Sequence, residues 1–371
     1  MGRAATATMD FEALRHNYRL AKQVSGNKAV AIIKANAYGH GAVLAAQALR
    51  YEADAFGVAC IEEALELRNA GITQPILLLE GFFTADELPI IAKNNFWTAV
   101  HSLEQIDIIA QSQLTHPINV WLKMDSGMHR LGVRPDDYQQ AYEKLKALYQ
   151  VREIVLMTHF ACADELNKQE TRVQIGLFDH ITKEIDEAKS LANSAGTLGH
   201  DLAHRDWQRP GIMLYGATPF PHEHEHGDKL QPVMSLTSEI IAIHNLEKGD
   251  AIGYGGGFVC DQSTRVGTVA MGYADGYPRH ARTGTPVLVN GKRTRIIGRV
   301  SMDMLAVDLT NIDDAEVGSH VELWGKNLLA SEVAPWCDTI PYTLFTGITR
   351  RVKKAYKNLH AQGPEHLQSV G

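Results

Sequence analysis

Short apolar runs recur at even intervals through the first part of the chain, at residues 30–33, 55–59, 75–79, 96–100, 118–124 and 154–159. They are continuous rather than alternating, the pattern of strands covered on both faces. Between them the apolar positions shift to helical spacing. Leu14, Tyr18 and Ala21 share one face of a helix over 11–24, with Asp10 placed to cap it. Further helices are predicted over 42–49, 61–69 (stopping at Gly71), 85–93, 103–111 and 138–149. Strand and helix alternating in this way predict a (β/α)8 barrel of the TIM type. Its seventh and eighth strands are weaker in the sequence and are placed before Asn193 and at 206–209.

The rhythm changes after about residue 230. Short β-type runs with tight turns follow, at 238–243, 264–271, 285–290, 294–300 and 304–309, and Asn290-Gly291 is a hairpin signal between two of them. A boundary in the loop 219–227 therefore divides the chain into a barrel, 1–230, and a mostly-β domain, 231–371. The loop carries His222, His224 and His226, a spacing that suits no standard metal-ligand set and reads as a solvated linker. Residues 361–371 are polar and read as a frayed tail.

Composition changes this picture little. The 371 residues suffice for a large core and more than one domain. Lys and Arg number 36 against 43 Asp and Glu, a formal charge of −7, which argues against nucleic acid or an anionic membrane as a partner. Cys60, Cys162, Cys260 and Cys337 lie far apart, without a CxxC pair, and do not form a disulfide or zinc pattern. No signal peptide and no run of transmembrane length is read, so a reducing cytoplasm is the expected location.

The first apolar run ends at Lys34, before a polar turn with Gly39 and Gly41. A lysine on a buried strand is costly to desolvate unless it reaches water, is paired or loses its charge. Two readings stand: a lysine that simply reaches solvent at the strand mouth, or one that holds an aldehyde cofactor seated by Tyr38 and the glycines. The whole run "AVAIIKANAYGHG" resembles the cofactor-lysine motif of the bacterial alanine racemases, pyridoxal-phosphate enzymes of the barrel type. The resemblance extends from the first helix to about Val352.

The resemblance implies roles for further residues. "WQRPGIMLYG" is similar to the segment in which an arginine, here Arg209, faces the pyridine nitrogen of pyridoxal 5'-phosphate, with Gly211 and Ile212 on the phosphate. Tyr38, Ser194 and Tyr342 join that cradle, Asn193 adjoins it, and His159 packs by the ring near Arg209. A guanidinium stays protonated and cannot take a proton from the ring nitrogen, which weakens the ring as an electron sink and suits racemisation. "AIGYGGGF" resembles the segment bearing a catalytic tyrosine, so Tyr254 joins Lys34 as the second proton-carrying group, on the opposite face of the substrate carbon. On its own the string is equally a tyrosine packed in a Gly-rich hairpin.

"WLKMDSGMHRLGV" holds Lys123 and Arg130, by itself an ordinary surface pair. By resemblance Arg130 takes the substrate carboxylate and Lys123 is a carbamylated lysine that steadies it. "GRVSMDM" and "MGYADGYPR" resemble the segments that bring Met302, Asp303 and Tyr273 to the substrate, with Arg279, Arg299, Asp164 and Ile340 at the outer entrance. Tyr254, Tyr273 and Met302 complete the neighbouring subunit's site, which implies a homodimer. The resulting expectation is an alanine racemase that interconverts L- and D-alanine and supplies D-alanine for peptidoglycan. A racemase acting on serine as well as alanine is one alternative. A non-catalytic pyridoxal-phosphate carrier is another, disfavoured by the β domain. A decarboxylase of related architecture is disfavoured by the entrance residues.

Overall fold

In the computed structural model, which describes residues 2–359, eight parallel strands form one sheet in chain order. They are Lys28–Ile32, Ala55–Val58, Ile76–Leu78, Phe96–Val100, Ile118–Lys123, Val151–Met157, Ala188–Ser190 and Trp207–Gln208. The eighth returns to pair with the first, so the sheet curls into a barrel. Between the seventh and eighth strands the ladder is replaced by single bonds. Arg209 N–H donates to the Ala192 carbonyl (2.9 Å) and the Ser190 hydroxyl to the Trp207 carbonyl (2.8 Å).

The continuous apolar runs are the barrel strands because helices cover their outer faces. Ile118–Lys123, for example, is buried at every position. The helix Phe11–Ser25 starts where Asp10 accepts a hydrogen bond from Glu12 N–H and stops at Gly26, whose φ of 70° closes it. Two helices sit earlier or later than their spacing predicts, at Pro135–Lys146 and Glu87–Asn94. The former is displaced because Pro135 starts it. Trp97, Trp121 and Trp207 pack within 5.4–5.9 Å of one another where the strands begin. The opposite end, where the strands finish, carries the loops.

The second domain is also a barrel. Met234–Leu246, His320–Trp324, Pro286–Val289, Lys292–Ile297, Leu305–Asp308 and Thr264–Val269 pair antiparallel in that order, and the last pairs back onto the first. Asn290 and Gly291 form its tightest hairpin with φ of 51° and 77°, the mirror-image turn that their sequence demands.

Besides His320–Trp324, two further strands were not expected. Thr6–Asp10 pairs antiparallel with Met234–Leu246, and Lys353–Lys357 lies parallel beside Thr6–Asp10. The first strand of the chain is thus joined to the second sheet. The loop expected to be a histidine-bearing linker is a turn in which His224 Nδ1 accepts from the His226 and Gly227 N–H groups. No helix among the described residues is long and apolar enough to cross a membrane. Residues 361–371, expected to be a frayed tail, lie outside the described residues.

Candidate active site

Lys34 follows the first barrel strand and is half-buried. The chain then turns the wrong way for L-residues: Ala35, Asn36, Ala37 and Tyr38 all have φ between 51° and 53°. The left-handed helix costs about 1–2 kcal/mol per residue. Only Gly39 and Gly41 were expected to need unusual angles, so this turn corrects the simple loop read from the sequence. Its far end is tied down. The Asn36 side chain accepts from Ala42 N–H (2.8 Å) and Lys354 donates to the Gly39 carbonyl (2.8 Å). A Cβ on Gly39 would lie 2.3 Å from the Phe345 carbonyl oxygen. His40, fully buried, has Nδ1 2.9 Å from the Tyr38 carbonyl oxygen. Burial pushes its pKa down to about 4, so it is neutral and donates from Nδ1.

Three cations meet near Lys34. Lys123 ends the fifth strand and is only 6 % exposed; burial first, then the charges of Arg209, Arg130 and Lys34, push its pKa down to about 8. Glu80 is the carboxylate that offsets them there. Arg209, just past the eighth strand, is fully buried, which lowers its pKa to about 10 and still leaves it protonated at neutral pH. Its Nη1 donates to the Ser190 carbonyl and hydroxyl, and its Nη2 to the carbonyls of Thr158 and Leu191, while Nε has no partner among the described residues. His159, past the sixth strand, is held well below the ordinary imidazole range by burial and then by Arg209, Lys123, Arg130 and Lys34.

Beside this cluster lies a set of hydrogen-bond donors. Ser194 starts the short helix Ser194–Gly199, which Asn193 caps by accepting from Gly196 N–H. The Ser194 hydroxyl oxygen accepts from Gly211 N–H (2.8 Å) and Met213 N–H (3.3 Å). A Cβ on Gly211 would sit 2.7 Å from the Tyr38 hydroxyl, so only glycine leaves room there. Tyr38 stacks on Tyr215 at 4.7 Å and leans on Tyr342 at 5.7 Å. The Ile212 N–H and the hydroxyl hydrogens of Tyr38, Ser194 and Tyr342 find no acceptor among the described residues. Unpaired donors converging beside surplus positive charge form a cradle for an anion.

The β domain supplies the other residues singled out in the sequence. Tyr254 lies in a glycine-rich turn beside Arg299 and is 72 % exposed; Met302 is 52 % exposed. Neither bonds to the barrel mouth of its own chain. Tyr273 and Met302 are held to each other's loops: Tyr273 N–H donates to the Ser301 carbonyl and Ala274 N–H to that of Met302, both at 3.0 Å. A knot centred on buried Asp275 fixes both loops. Asp275 accepts from Gly272 N–H (2.9 Å) and pairs with Arg3 (2.6 Å) and Arg351 (3.3 Å), and Arg351 also pairs with Asp303 (2.7 Å). Arg3 and Asp275 carried no signal in the sequence, because a contact across almost the whole chain leaves no local pattern.

Together the (β/α)8 barrel, the lysine after its first strand and the appended β domain define a two-domain barrel enzyme whose chemistry belongs at the strand ends. Comparison with known proteins makes the class specific. A family model for the alanine racemase N-terminal domain matches residues 9–219, and one for the alanine racemase C-terminal domain matches 233–356. The chain belongs to the alanine racemase family. It is 56% identical over 354 residues to an alanine racemase of Pseudomonas syringae pv. syringae (strain B728a), covering 95% of this chain and 99% of that one. It is 57% identical over the same length and coverage to a catabolic alanine racemase of Pseudomonas putida. The crystal structure of the biosynthetic alanine racemase from Pseudomonas aeruginosa superposes with a TM-score of 0.93 at 46% identity, over 96% of this chain and 99% of that one.

Proposed function

We propose that the chain interconverts L- and D-alanine with pyridoxal 5'-phosphate held at the barrel mouth. The observation that carries this reading is the meeting of Lys34, surplus positive charge and unpaired donors at one end of the barrel. The residues fit the cofactor. Tyr38, Ser194, Gly211, Ile212 and Tyr342 surround a space suited to its phosphate, and Asn193 fixes the Ser194 end. Arg209, whose Nε has no partner among the described residues, would face its ring nitrogen, and His159 would flank the ring. When bound, the cofactor withdraws electrons from the substrate carbon and so acidifies its hydrogen.

The chain's own groups do the rest. Arg209 stays protonated and takes no proton, which keeps the electron withdrawal modest. Arg130 grips the substrate carboxylate with a planar fork. Lys34 and Tyr254 each hold or deliver a proton on one face of the α-carbon. The exposure of Tyr254 supports a homodimer in which it and the loops of Tyr273, Met302 and Asp303 serve the partner's barrel. A cytoplasmic enzyme supplying D-alanine for peptidoglycan fits this reading. A catabolic role is the second reading, favoured by the names of the Pseudomonas putida and, at 52% identity, Pseudomonas aeruginosa catabolic relatives. The two enantiomers have equal free energy, so flux and not site geometry separates these roles.

The test is L-alanine in deuterated water, with optical rotation and α-deuterium followed together. Loss of rotation with deuterium uptake is expected. A carrier would give neither, and a decarboxylase would release carbon dioxide. L-serine run in parallel ranks the broader racemase.

Lys123 yields a pH prediction. A carbamate forms from the neutral amine, and with a pKa of about 8 that form is plentiful just above neutrality. The folded state binds this proton more weakly than an unfolded lysine of about 10.4, so stability rises with pH between the two values. Labelled bicarbonate is therefore expected to give a carbamate carbon resonance at pH 8 that fades at pH 6 and is missing in Lys123→Met. Absence of the signal at pH 8 would remove the carbamate from the scheme.

A further inference from the structure

Glu63 stands in the first turn of the helix Ile61–Asn69, after the second barrel strand, and enters no ion pair among the described residues. Its carboxylate is spent on two backbone amides instead. Oε1 accepts from Ala35 N–H at 2.7 Å and Oε2 from Ala59 N–H at 2.8 Å. Ala35 is the residue after Lys34 and the first of the left-handed turn. Other side-chain ties on that turn run from the Asn36 side chain, which accepts from Ala42 N–H, and from Lys354, which donates to the Gly39 carbonyl at its far end. A backbone bond from Ala37 N–H to the Ile33 carbonyl (2.8 Å) also spans this end, and Glu63 is the one side chain among the described residues that holds the Ala35 N–H, reaching it from past the end of the neighbouring strand.

We propose that Glu63 is a positioning residue for Lys34. Its carboxylate clamps the peptide that follows the lysine, keeps the turn left-handed and so fixes where the ε-amine points. Two acceptor oxygens are required. An amide at this position would turn a donor toward one of the two N–H groups. A charged acceptor also makes the stronger bond. This rests on the proposed use of Lys34, and deepens it.

The test compares Glu63→Gln with Glu62→Gln, the exposed neighbour that does not touch the turn. Protein stripped of cofactor is mixed with pyridoxal 5'-phosphate, and its attachment to Lys34 is trapped with borohydride over time and located by peptide mapping. Glu63→Gln is expected to attach cofactor more slowly and to lose about 10²-fold in kcat, with KM for alanine little changed, the pattern of a misplaced group. Glu62→Gln should match the parent enzyme. Solvent exchange of the α-hydrogen should slow on the face served by Lys34 and not on the other. Loss of that asymmetry with attachment still slowed would count against the two-face scheme alone. Attachment at the parent rate in Glu63→Gln would overturn the proposal. If that variant does not fold, hydrogen exchange of the unmodified holoenzyme decides. Ala35 N–H has no other acceptor among the described residues, so slow exchange there supports the clamp and rapid exchange overturns it.

Discussion

Lys34→Ala is expected to leave no measurable alanine racemisation while the protein folds. Loss of a positioned acid or base alone costs about 10²–10⁴-fold, and this substitution also removes the amine that anchors the cofactor. The variant should retain less cofactor through dialysis. With cofactor removed from both proteins, its thermal unfolding should move little, because Lys34 is half-buried and makes no salt bridge among the described residues, and such positions usually shift stability by about 0.5 kcal/mol or less. Racemisation within tenfold of the parent would show that Lys34 is a solvent-reaching lysine at a strand mouth after all.

Tyr254→Phe should produce a different failure. Racemisation is expected to fall about 10²–10⁴-fold, yet one enantiomer should still exchange its α-hydrogen with deuterated water, through the face that Lys34 serves. The phenol is 72 % exposed in the single chain, so losing its hydroxyl should not unfold the domain. Mixing the two inactive variants under conditions of subunit exchange extends the test. If each site takes Lys34 from one copy and Tyr254 from another, mixed dimers hold one intact site and activity returns. A mixture that stays inactive despite exchange would place both groups in one chain.

Much of the barrel was legible because its strands are buried on both faces and so read as unbroken apolar runs. The helix Leu103–Gln111 lies where its spacing placed it, and Asn290-Gly291 turns as its residues require. The left-handed turn after Lys34 was not legible. Ala35, Asn36 and Ala37 carry no local preference strong enough to announce it, and it is imposed from outside by Glu63, His40 and Phe345. The strands Thr6–Asp10 and Lys353–Lys357 escaped notice because they are short and half-polar, with partners remote in sequence. For the site, the position of Lys34 at a strand end followed from the pattern of runs, while Lys123 and Arg209 were singled out only through the resemblance. The carbonyl oxygens that anchor Arg209 come from residues 158, 190 and 191, and no motif joins them.

The pairing of Thr6–Asp10 with Met234–Leu246 and Lys353–Lys357 also sets a timetable for synthesis. The amino-terminal segment leaves the ribosome first and waits, one edge open until Met234–Leu246 emerges and the other until the last few dozen residues do. All eight strands of the barrel can assemble before then. Removing the final strand would therefore strip one flank of the earliest-made one, exposing a ready template for pairing with other chains. A truncation near the carboxyl terminus should thus aggregate during expression rather than merely lose activity.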